Sequence, residues 1–207
     1  MKFEKMPLGP LGTNCYIVHD HNQALIVDPG GDFESLLHFL QGEKLVPIAI
    51  LLTHAHFDHI GAVEDVRNHY SIPVYIHEQE ASWLTDARLN GSALFQMGEI
   101  TTHPPEKYLE PGKLEIGPFQ FEIRYTPGHS PGSVSFVFPE QSTVIAGDTL
   151  FQSGIGRTDL PGGNMEELLA SIQTQIFSLT EETAVLPGHG PNTKVGSERQ
   201  SNPFFRR

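Results

Sequence analysis

Four apolar segments of this chain each run directly into a residue with an imidazole or carboxylate side chain. Ile48 to Leu52 precedes the cluster Thr53-His54-Ala55-His56-Phe57-Asp58-His59, and three further segments lead to His129, Asp148 and His189. Short apolar runs bounded by turn residues are typical of buried strands. Because α/β sheets place their sites at the carboxyl ends of strands, these polar side chains are expected to converge on one site.

Periodic hydrophobicity predicts the secondary structure around these positions. Helical spacing follows Asp32 and Asn164, which are N-cap residue types, and also covers Ile60 to Tyr70. Strands interleaved with helices predict an α/β or α+β fold. No linker segment divides the chain, which predicts a single domain over residues 1–207. Strands are predicted over residues 15–18, 24–27, 48–52, 74–76, 119–125, 134–138, 143–146 and 184–186, and strict alternation in 119–125 indicates one exposed face.

Charge and cysteine content exclude several classes of function. The chain carries 25 acidic and 13 basic residues, a formal charge of -12, which repels a nucleic-acid backbone. Its single cysteine, Cys15, is expected to pack in the core and fits a reducing compartment. The longest aliphatic run, Ile48 to Leu52, is too short to cross a bilayer. A soluble cytoplasmic protein with no nucleic-acid or membrane partner is therefore expected, of unknown oligomeric state.

The cluster at residues 53–59 has the composition of a metal site. Imidazole and carboxylate groups are common zinc ligands. His54 and His56 lie two residues apart and so point to the same side of an extended chain, while a turn into the following helix brings Asp58 and His59 back. Seven groups are candidate ligands, which is too many for one tetrahedral ion: His54, His56, Asp58, His59, His129, Asp148 and His189.

Two divalent ions accommodate the seven groups if Asp148 bridges them. His54, His56, His129 and Asp148 would then hold one ion, and Asp58, His59, His189 and Asp148 the other. Such ions lie about 3.5 to 4 Å apart, share a water or hydroxide, and lower the pKa of that water to about 7. The predicted nucleophile is this hydroxide, oriented by Asp58 as the catalytic residue. Zinc is the favoured metal, and iron or manganese would accept the same ligands.

At this point the chain resembles a known family, the metallo-beta-lactamase superfamily, and within it the glyoxalase II-like (hydroxyacylglutathione hydrolase-like) enzymes. The resemblance implies a four-layer αββα sandwich and hydrolysis of S-2-hydroxyacylglutathione thioesters. It also implies that Asp28 orients a ligand histidine, although simple turn capping by Asp28 explains its place as well. The segments that carry the resemblance are Thr13 to Tyr16, Asp28 to Gly31, Thr53 to His59, Thr126 to Pro131, Gly147 to Phe151, Gly156 to Asp159 and Leu186 to Pro191.

The thiol carrier of the substrate stays open at this stage. In the full-length family enzymes a C-terminal helical extension helps to hold glutathione, and from this sequence we expect no such extension. Three basic residues are candidates for substrate binding, although the basic residues near the end of the chain also fit an ordinary solvated terminus: Arg157, Lys194 and Arg199.

Four alternatives accompany the thioesterase hypothesis. A persulfide dioxygenase with one iron, or a lactonase, would share the superfamily's ligands, whereas beta-lactamases generally lack a bridging aspartate where Asp148 stands. Gly128-His129-Ser130-Pro131-Gly132 matches the G-x-S-x-G motif of serine esterases, but the residues after Ser130 read as a strand and Pro131 lacks an N–H for an oxyanion hole. A non-catalytic metal-binding scaffold is the remaining class, although structural zinc sites are usually single and rich in cysteine.

Overall fold

The structure is a computed structural model that describes residues 1–95 and 98–206. The chain divides into two compact units, the first formed by Met1–Leu109 with Glu115–Phe119 and the second by Glu110–Leu114 with Gln120–Arg207. The single domain expected over residues 1–207 stays a prediction. Within the described ranges, no helix is both long enough and apolar enough to span a membrane.

The first unit is built on a six-stranded mixed sheet. The strands follow in the order β1-β2-β3-β4-β5-β6; β1, β2 and β3 pair antiparallel, and β3 to β6 pair parallel. Apolar residues of these strands and of the helices form one buried core. The elements are β1 (Lys2–Leu8), β2 (Thr13–Asp20), β3 (Gln23–Val27), α1 (Phe33–Gly42), β4 (Val46–Leu51), α2 (Phe57–Ile60), α3 (Val63–Tyr70), β5 (Val74–His77), a 3-10 helix (Glu78–Thr85) and β6 (Lys107–Leu109).

The helix predicted over residues 60–70 is split in two. Helix α2 ends at Ile60, and α3 begins at Val63. The N–H of Ala62 donates to the carbonyl of Pro29 at 2.9 Å instead of continuing the helical ladder. This bond ties the residues after α2 to the loop after β3. Helix α2, which carries two of the candidate ligands, is therefore held by a contact with another segment.

The two predicted N-caps have different outcomes. Asn164 caps its helix as expected, since its side-chain oxygen accepts the N–H of Glu167 at 3.1 Å. Helix α1 begins at Phe33 after Asp32, but the Asp32 carboxylate makes no capping bond. It accepts the N–H of Gly9 at 2.8 Å, and Asp32 has a left-handed backbone with φ 48°. This side chain therefore fastens the loop after β1 rather than the helix.

The second unit contains most of a second six-stranded mixed sheet, in the order β14-β13-β10-β9-β8-β7. Its core joins strand residues such as Val144 and Val185 to helix residues such as Leu168 and Ile172. The elements are β7 (Gly112–Ile116), β8 (Phe119–Tyr125), β9 (Val134–Phe138), a 3-10 turn (Pro139–Gln141), β10 (Thr143–Gly147), β11 (Leu150–Phe151), β12 (Gly154–Ile155), α4 (Met165–Ser171), a π-helical turn (Ile172–Ile176), β13 (Ala184–Pro187), β14 (Thr193–Lys194) and α5 (Val195–Ser201).

Strand direction decides where the polar residues of each unit gather. In the first unit, β3, β4 and β5 are parallel neighbours, so the residues that follow them lie at one edge of the sheet. In the second unit, β10 pairs parallel with β13, and β8 and β10 each pair antiparallel with β9. Strands β8, β10 and β13 therefore run in one direction, and each is followed by a candidate ligand.

Candidate metal centre

In the first unit, the candidate ligands occupy the loop after β4 and the short helix α2. His54, His56, Asp58 and His59 are all buried. Ligand nitrogens of His54 lie within 4.8 Å of those of both His56 and His59. The Nε2 atom of His59 is 3.7 Å from Oδ2 of Asp58. The predicted four-residue cluster is therefore brought together.

Asp28, at the end of the neighbouring strand β3, holds this cluster by three hydrogen bonds. Its Oδ1 accepts the N–H of Thr53 at 2.8 Å, and its Oδ2 accepts the Thr53 hydroxyl at 2.6 Å. The same Oδ2 lies 3.0 Å from Nδ1 of His59. Asp28 is buried and has a left-handed backbone with φ 51°. Its carboxylate is thus placed to orient the candidate ligand His59 and, in addition, the start of residues 53–59, the ligand loop.

These bonds decide which imidazole nitrogen faces the site. Because the single hydroxyl proton of Thr53 is donated to Asp28, Thr53 Oγ1 accepts at its 3.0 Å contact with Nδ1 of His54. The Asp28 carboxylate likewise accepts from Nδ1 of His59. With the proton on Nδ1, both rings present the lone pair of Nε2, which is the form that binds metals.

Thr13, at the start of β2, holds the carboxylate of Asp58. The Thr13 hydroxyl donates to Oδ2 of Asp58 at 2.8 Å, and both side chains are buried. A threonine hydroxyl in this place limits the rotation of the carboxylate. This contact fixes the group that was predicted to orient the nucleophile.

In the second unit, the remaining three candidates meet at Asp148. Oδ2 of Asp148 lies 3.6 Å from Nε2 of His129 and 3.6 Å from Nε2 of His189. His129 is buried, whereas His189 and Asp148 are partly exposed. A single carboxylate oxygen therefore contacts both histidines, as a bridging ligand requires.

The segment Gly156-Arg157 supports these ligands. Nδ1 of His129 donates to the carbonyl of Arg157 at 2.7 Å, which leaves Nε2 facing Asp148. A Cβ atom on Gly156 would lie 2.0 Å from the Asp148 carbonyl oxygen and 3.0 Å from Cβ of His129. Only glycine allows this close approach, so the Gly-Arg-Thr-Asp segment positions two candidate ligands.

The separations within each unit fit metal coordination better than hydrogen bonding. Two ligands bound about 2.1 Å from a tetrahedral ion are about 3.4 Å apart. The nitrogen-to-oxygen distances of 3.6 to 3.7 Å in these pairs are close to that value and exceed ordinary hydrogen-bond lengths. Buried imidazoles with fixed tautomers and carboxylates are also the right donor set for a divalent metal.

The serine esterase motif does not have the required local structure. Ser130 is buried and is followed by a turn and then by strand β9, where the nucleophile elbow needs a helix. Its hydroxyl lies 2.7 Å from the hydroxyl of Ser133. Ser130 is thus part of a turn that carries the neighbouring His129.

The three basic candidates for substrate binding contact neighbours in their own unit. The Arg157 guanidinium donates to Asp159 and lowers the pKa of that carboxyl to about 2. Lys194 donates to Glu182 at 2.8 Å, and Arg199 donates to backbone carbonyls, among them that of Leu179 at 3.2 Å. Only Arg157 also holds a ligand, through its carbonyl.

The family model described as the metallo-beta-lactamase superfamily matches residues 8–189, which is most of the chain. The chain belongs to the metallo-beta-lactamase superfamily. The predicted fold class, α/β of the metallo-beta-lactamase type, is thereby confirmed.

Two curated relatives of the superfamily match over nearly the full length of both chains. The probable metallo-hydrolase YqgX of Bacillus subtilis is 51% identical, covering 99% of this chain and 98% of the relative. The hydroxyacylglutathione hydrolase GloC of Haemophilus influenzae is 34% identical, again covering 99% and 98%.

Solved structures agree with this placement in the superfamily. The B3 metallo-beta-lactamase BLEG-1 is 51% identical with a TM-score of 0.96, covering 99% of each chain. The protein TTHA1623, solved in a di-iron-bound form, is 41% identical with a TM-score of 0.87, covering 97% of this chain and 99% of the other. Similarity at this level extends over both units of the chain.

Sequence reasoning did not identify several residues that support the ligands. Thr13, Thr53 and Gly156 lie within segments that carry the family resemblance, but no role is predicted for them. Glu80, whose buried carboxylate accepts the N–H of Ala55, lies outside every predicted motif. Sites of α/β sheets lie at the carboxyl ends of strands. The place of Glu80, three residues after β5 ends at His77, is therefore the signal that could have identified it.

The single cysteine of this superfamily member is buried as expected. Cys15 lies in β2, and burial raises the pKa of its thiol, with a further contribution from the charge of Asp28. A neutral buried thiol is a poor nucleophile. Cys15 is therefore a packing residue in the core of the first unit.

Proposed function

We propose that this chain is a metal-dependent hydrolase that cleaves thioesters of the S-2-hydroxyacylglutathione type, with two divalent ions held by its seven candidate ligands. The superfamily match and the names of the relatives support the broader statement, a metal-dependent hydrolase. The similarity to GloC supports the thioester class. The observation that carries the proposal is the position of one Asp148 oxygen 3.6 Å from two histidine nitrogens, because a carboxylate that bridges two ions needs ligands of both ions beside it.

The proposed ligand sets are those expected from the sequence. One ion would be held by His54, His56, His129 and Asp148, and the second by Asp58, His59, His189 and Asp148. When bound, the two ions supply an activated water at neutral pH and a Lewis acid that polarises the thioester carbonyl. Zinc is the proposed metal, and the di-iron form of TTHA1623 makes iron the second choice.

The protein's own groups position the reactants. Asp58, held by Thr13, orients the attacking water toward the carbonyl carbon. Asp28 and the Arg157 carbonyl keep His59 and His129 in the Nδ1-protonated form, so that neither ring can leave its ligand orientation without breaking a hydrogen bond. The Arg157 side chain is the proposed contact for a carboxylate of the thiol carrier. The reason is that Arg157 lies next to a proposed ligand, because its backbone carbonyl accepts a hydrogen bond from His129.

One preparation tests this function. Metal content is measured, and hydrolysis of S-lactoylglutathione, of lactones and of beta-lactams is assayed before chelation, after chelation and after return of zinc. We expect about two metals per chain and thioester turnover that chelation removes and zinc restores. Asp58→Asn should lower thioester kcat by about 10²-fold, whereas the control Asp65→Asn, at an exposed position on α3, should not.

Two other functions are tested on the same preparation, with an oxygen-uptake assay on a persulfide added. BLEG-1 is a B3 metallo-beta-lactamase, so beta-lactam hydrolysis is the second candidate and would replace thioester cleavage if only beta-lactams are turned over. One iron per chain with oxygen uptake on persulfides would instead indicate a dioxygenase. The hydrolase family implies a small-molecule substrate, whereas a cytoplasmic location stays a prediction.

A further inference from the structure

The backbone of the ligand loop is held at every second residue. Between the end of β4 and the start of α2, three alternate N–H groups each donate to an acceptor in a different segment. His54 and His56 lie between the three donating residues, and Asp58 follows the last of them. The bonds run from Thr53 to the Asp28 carboxylate at 2.8 Å, from Ala55 to the Glu80 carboxylate at 2.5 Å, and from Phe57 to the Asn90 carbonyl at 3.0 Å.

Glu80 is the acceptor of the middle bond. Its side chain is fully buried, on the 3-10 helix that follows β5. Since β3 and β5 are the two neighbours of β4, Asp28 and Glu80 approach the ligand loop from opposite sides. Two buried carboxylates thus hold the peptide groups on either side of His54.

A second contact joins the same 3-10 helix to the loop. The Trp83 ring lies 5.7 Å from the His56 ring, at an interplanar angle of 49°, and Trp83 is buried. The helix Glu78–Thr85 therefore contacts the backbone at Ala55 and the side chain at His56. Both contacts act on the half of the loop that carries His54 and His56.

We propose that Glu80 is a positioning residue for the metal ion held by His54 and His56. The proposal rests on the ligand assignment of the proposed function. Ala55 is buried and lies outside the helices and strands, so its N–H needs an acceptor within the protein. Without Glu80 the peptide can rotate, and both flanking imidazoles leave the positions that a metal tolerates only within about 0.2 Å.

Substitutions at Glu80 separate this role from simple packing. Glu80→Ala removes the acceptor, whereas Glu80→Gln keeps an oxygen of the same reach. The matched control is Glu198→Ala, because Glu198 is equally buried and accepts from Ser153, Thr193 and Asn202, none of which lies on the ligand loop. Should Glu80→Ala fail to fold, Glu80→Asp, which is shorter by one methylene, is compared with Glu80→Gln.

The first measurement is zinc affinity, by competition with a chromophoric chelator. We expect Glu80→Ala to weaken the binding of one of two zinc ions by about 10- to 100-fold and Glu80→Gln to restore most of it. Cobalt substitution should show an altered absorption band in Glu80→Ala alone. Glu198→Ala should lower the melting temperature with the affinity of both ions unchanged.

The second measurement needs no metal. Hydrogen exchange in the metal-free protein should show that Glu80→Ala reduces protection of the Ala55 amide by about 10- to 100-fold, with Thr53 still protected by Asp28. Unchanged zinc affinity and unchanged Ala55 protection in Glu80→Ala would overturn the proposal. So would a Glu80→Gln variant as impaired as Glu80→Ala.

Failure of the proposed function would look different. If the wild-type chain turned over no thioester, or bound fewer than two metals, the substrate or the ligand count would be wrong. The exchange rate of the Ala55 amide would still report on Glu80. Wild-type thioester turnover together with unaltered metal binding in Glu80→Ala would leave the function standing and remove the role of Glu80.

Discussion

Replacing Asp28 by alanine tests whether one carboxylate organises the ligand loop. The substitution removes the acceptor of two hydrogen bonds from Thr53 and one from His59, all buried. It also places alanine at a left-handed backbone position, since φ of Asp28 is 51°. Both effects act on the same short segment.

The expected loss of stability is large for a single substitution. A buried hydrogen bond to a charged group contributes about 1.5 to 3 kcal/mol, and such bonds in one network are not additive. The left-handed backbone adds about 1 kcal/mol for alanine. We therefore expect the free energy of unfolding of the metal-free protein to fall by about 4 kcal/mol, and zinc affinity to fall by about 10- to 100-fold.

Asp32→Ala is the matched control. Asp32 also has a left-handed backbone, with φ 48°, but its carboxylate accepts only a backbone N–H, that of Gly9, among the bonds described, and does not contact the ligand loop. We expect about 2 kcal/mol of destabilisation and unchanged zinc affinity. Urea unfolding followed by circular dichroism and a competition titration with zinc provide both quantities. Equal losses in the two variants, or wild-type zinc affinity in Asp28→Ala, would refute the reasoning.

Two further substitutions test the support of the carboxylate ligands. In Gly156→Ala the new Cβ would lie 2.0 Å from the Asp148 carbonyl oxygen, so we expect the free energy of unfolding in urea to fall by about 3 kcal/mol and the metal content to fall as well. The control Gly154→Ala, whose Cβ has its nearest neighbour at 3.8 Å, should change neither quantity. A Gly156→Ala protein with full metal content would contradict the close approach. Thr13→Val should lower kcat about tenfold through loss of its bond to Asp58, and Thr13→Ser should restore it; equal rates in the two variants would mean that the hydroxyl does not matter.

The sequence predicted the central strands well because their residues are either buried on both faces or alternate strictly between apolar and polar types. Strand β9 has the predicted bounds Val134–Phe138, and β8 has those of the alternating segment Phe119–Tyr125. The edge strand β1 was missed, since its charged and half-exposed residues carry no apolar run. The two-residue strands β11, β12 and β14 are too short to produce any period.

The candidate ligands were predictable because each lies in a segment that follows a strand and because their residue types are rare in combination. Their supports were not, since hydrogen bonds between distant segments leave no local pattern. Glu80 and Ala55 are 25 residues apart, and Thr13 and Asp58 are 45 apart. Which threonine or glutamate lies next to a ligand depends on strand order, and strand order is a property of the folded sheet.

Metal removal should destabilise the first unit in particular, because three carboxylates act on one loop. Asp28 and Glu80 bond its backbone, and Asp58 belongs to it. A bound cation offsets the like charges of these carboxylates, which otherwise repel one another. At a free zinc concentration a thousand times the Kd, binding should add about 4 kcal/mol to the free energy of unfolding. Thermal unfolding with and without chelator measures the difference. Asp58→Asn should lower both the zinc affinity and the repulsion among the carboxylates of the metal-free loop. A metal-free protein that melts at the temperature of the zinc-loaded one would show that the loop binds no ion.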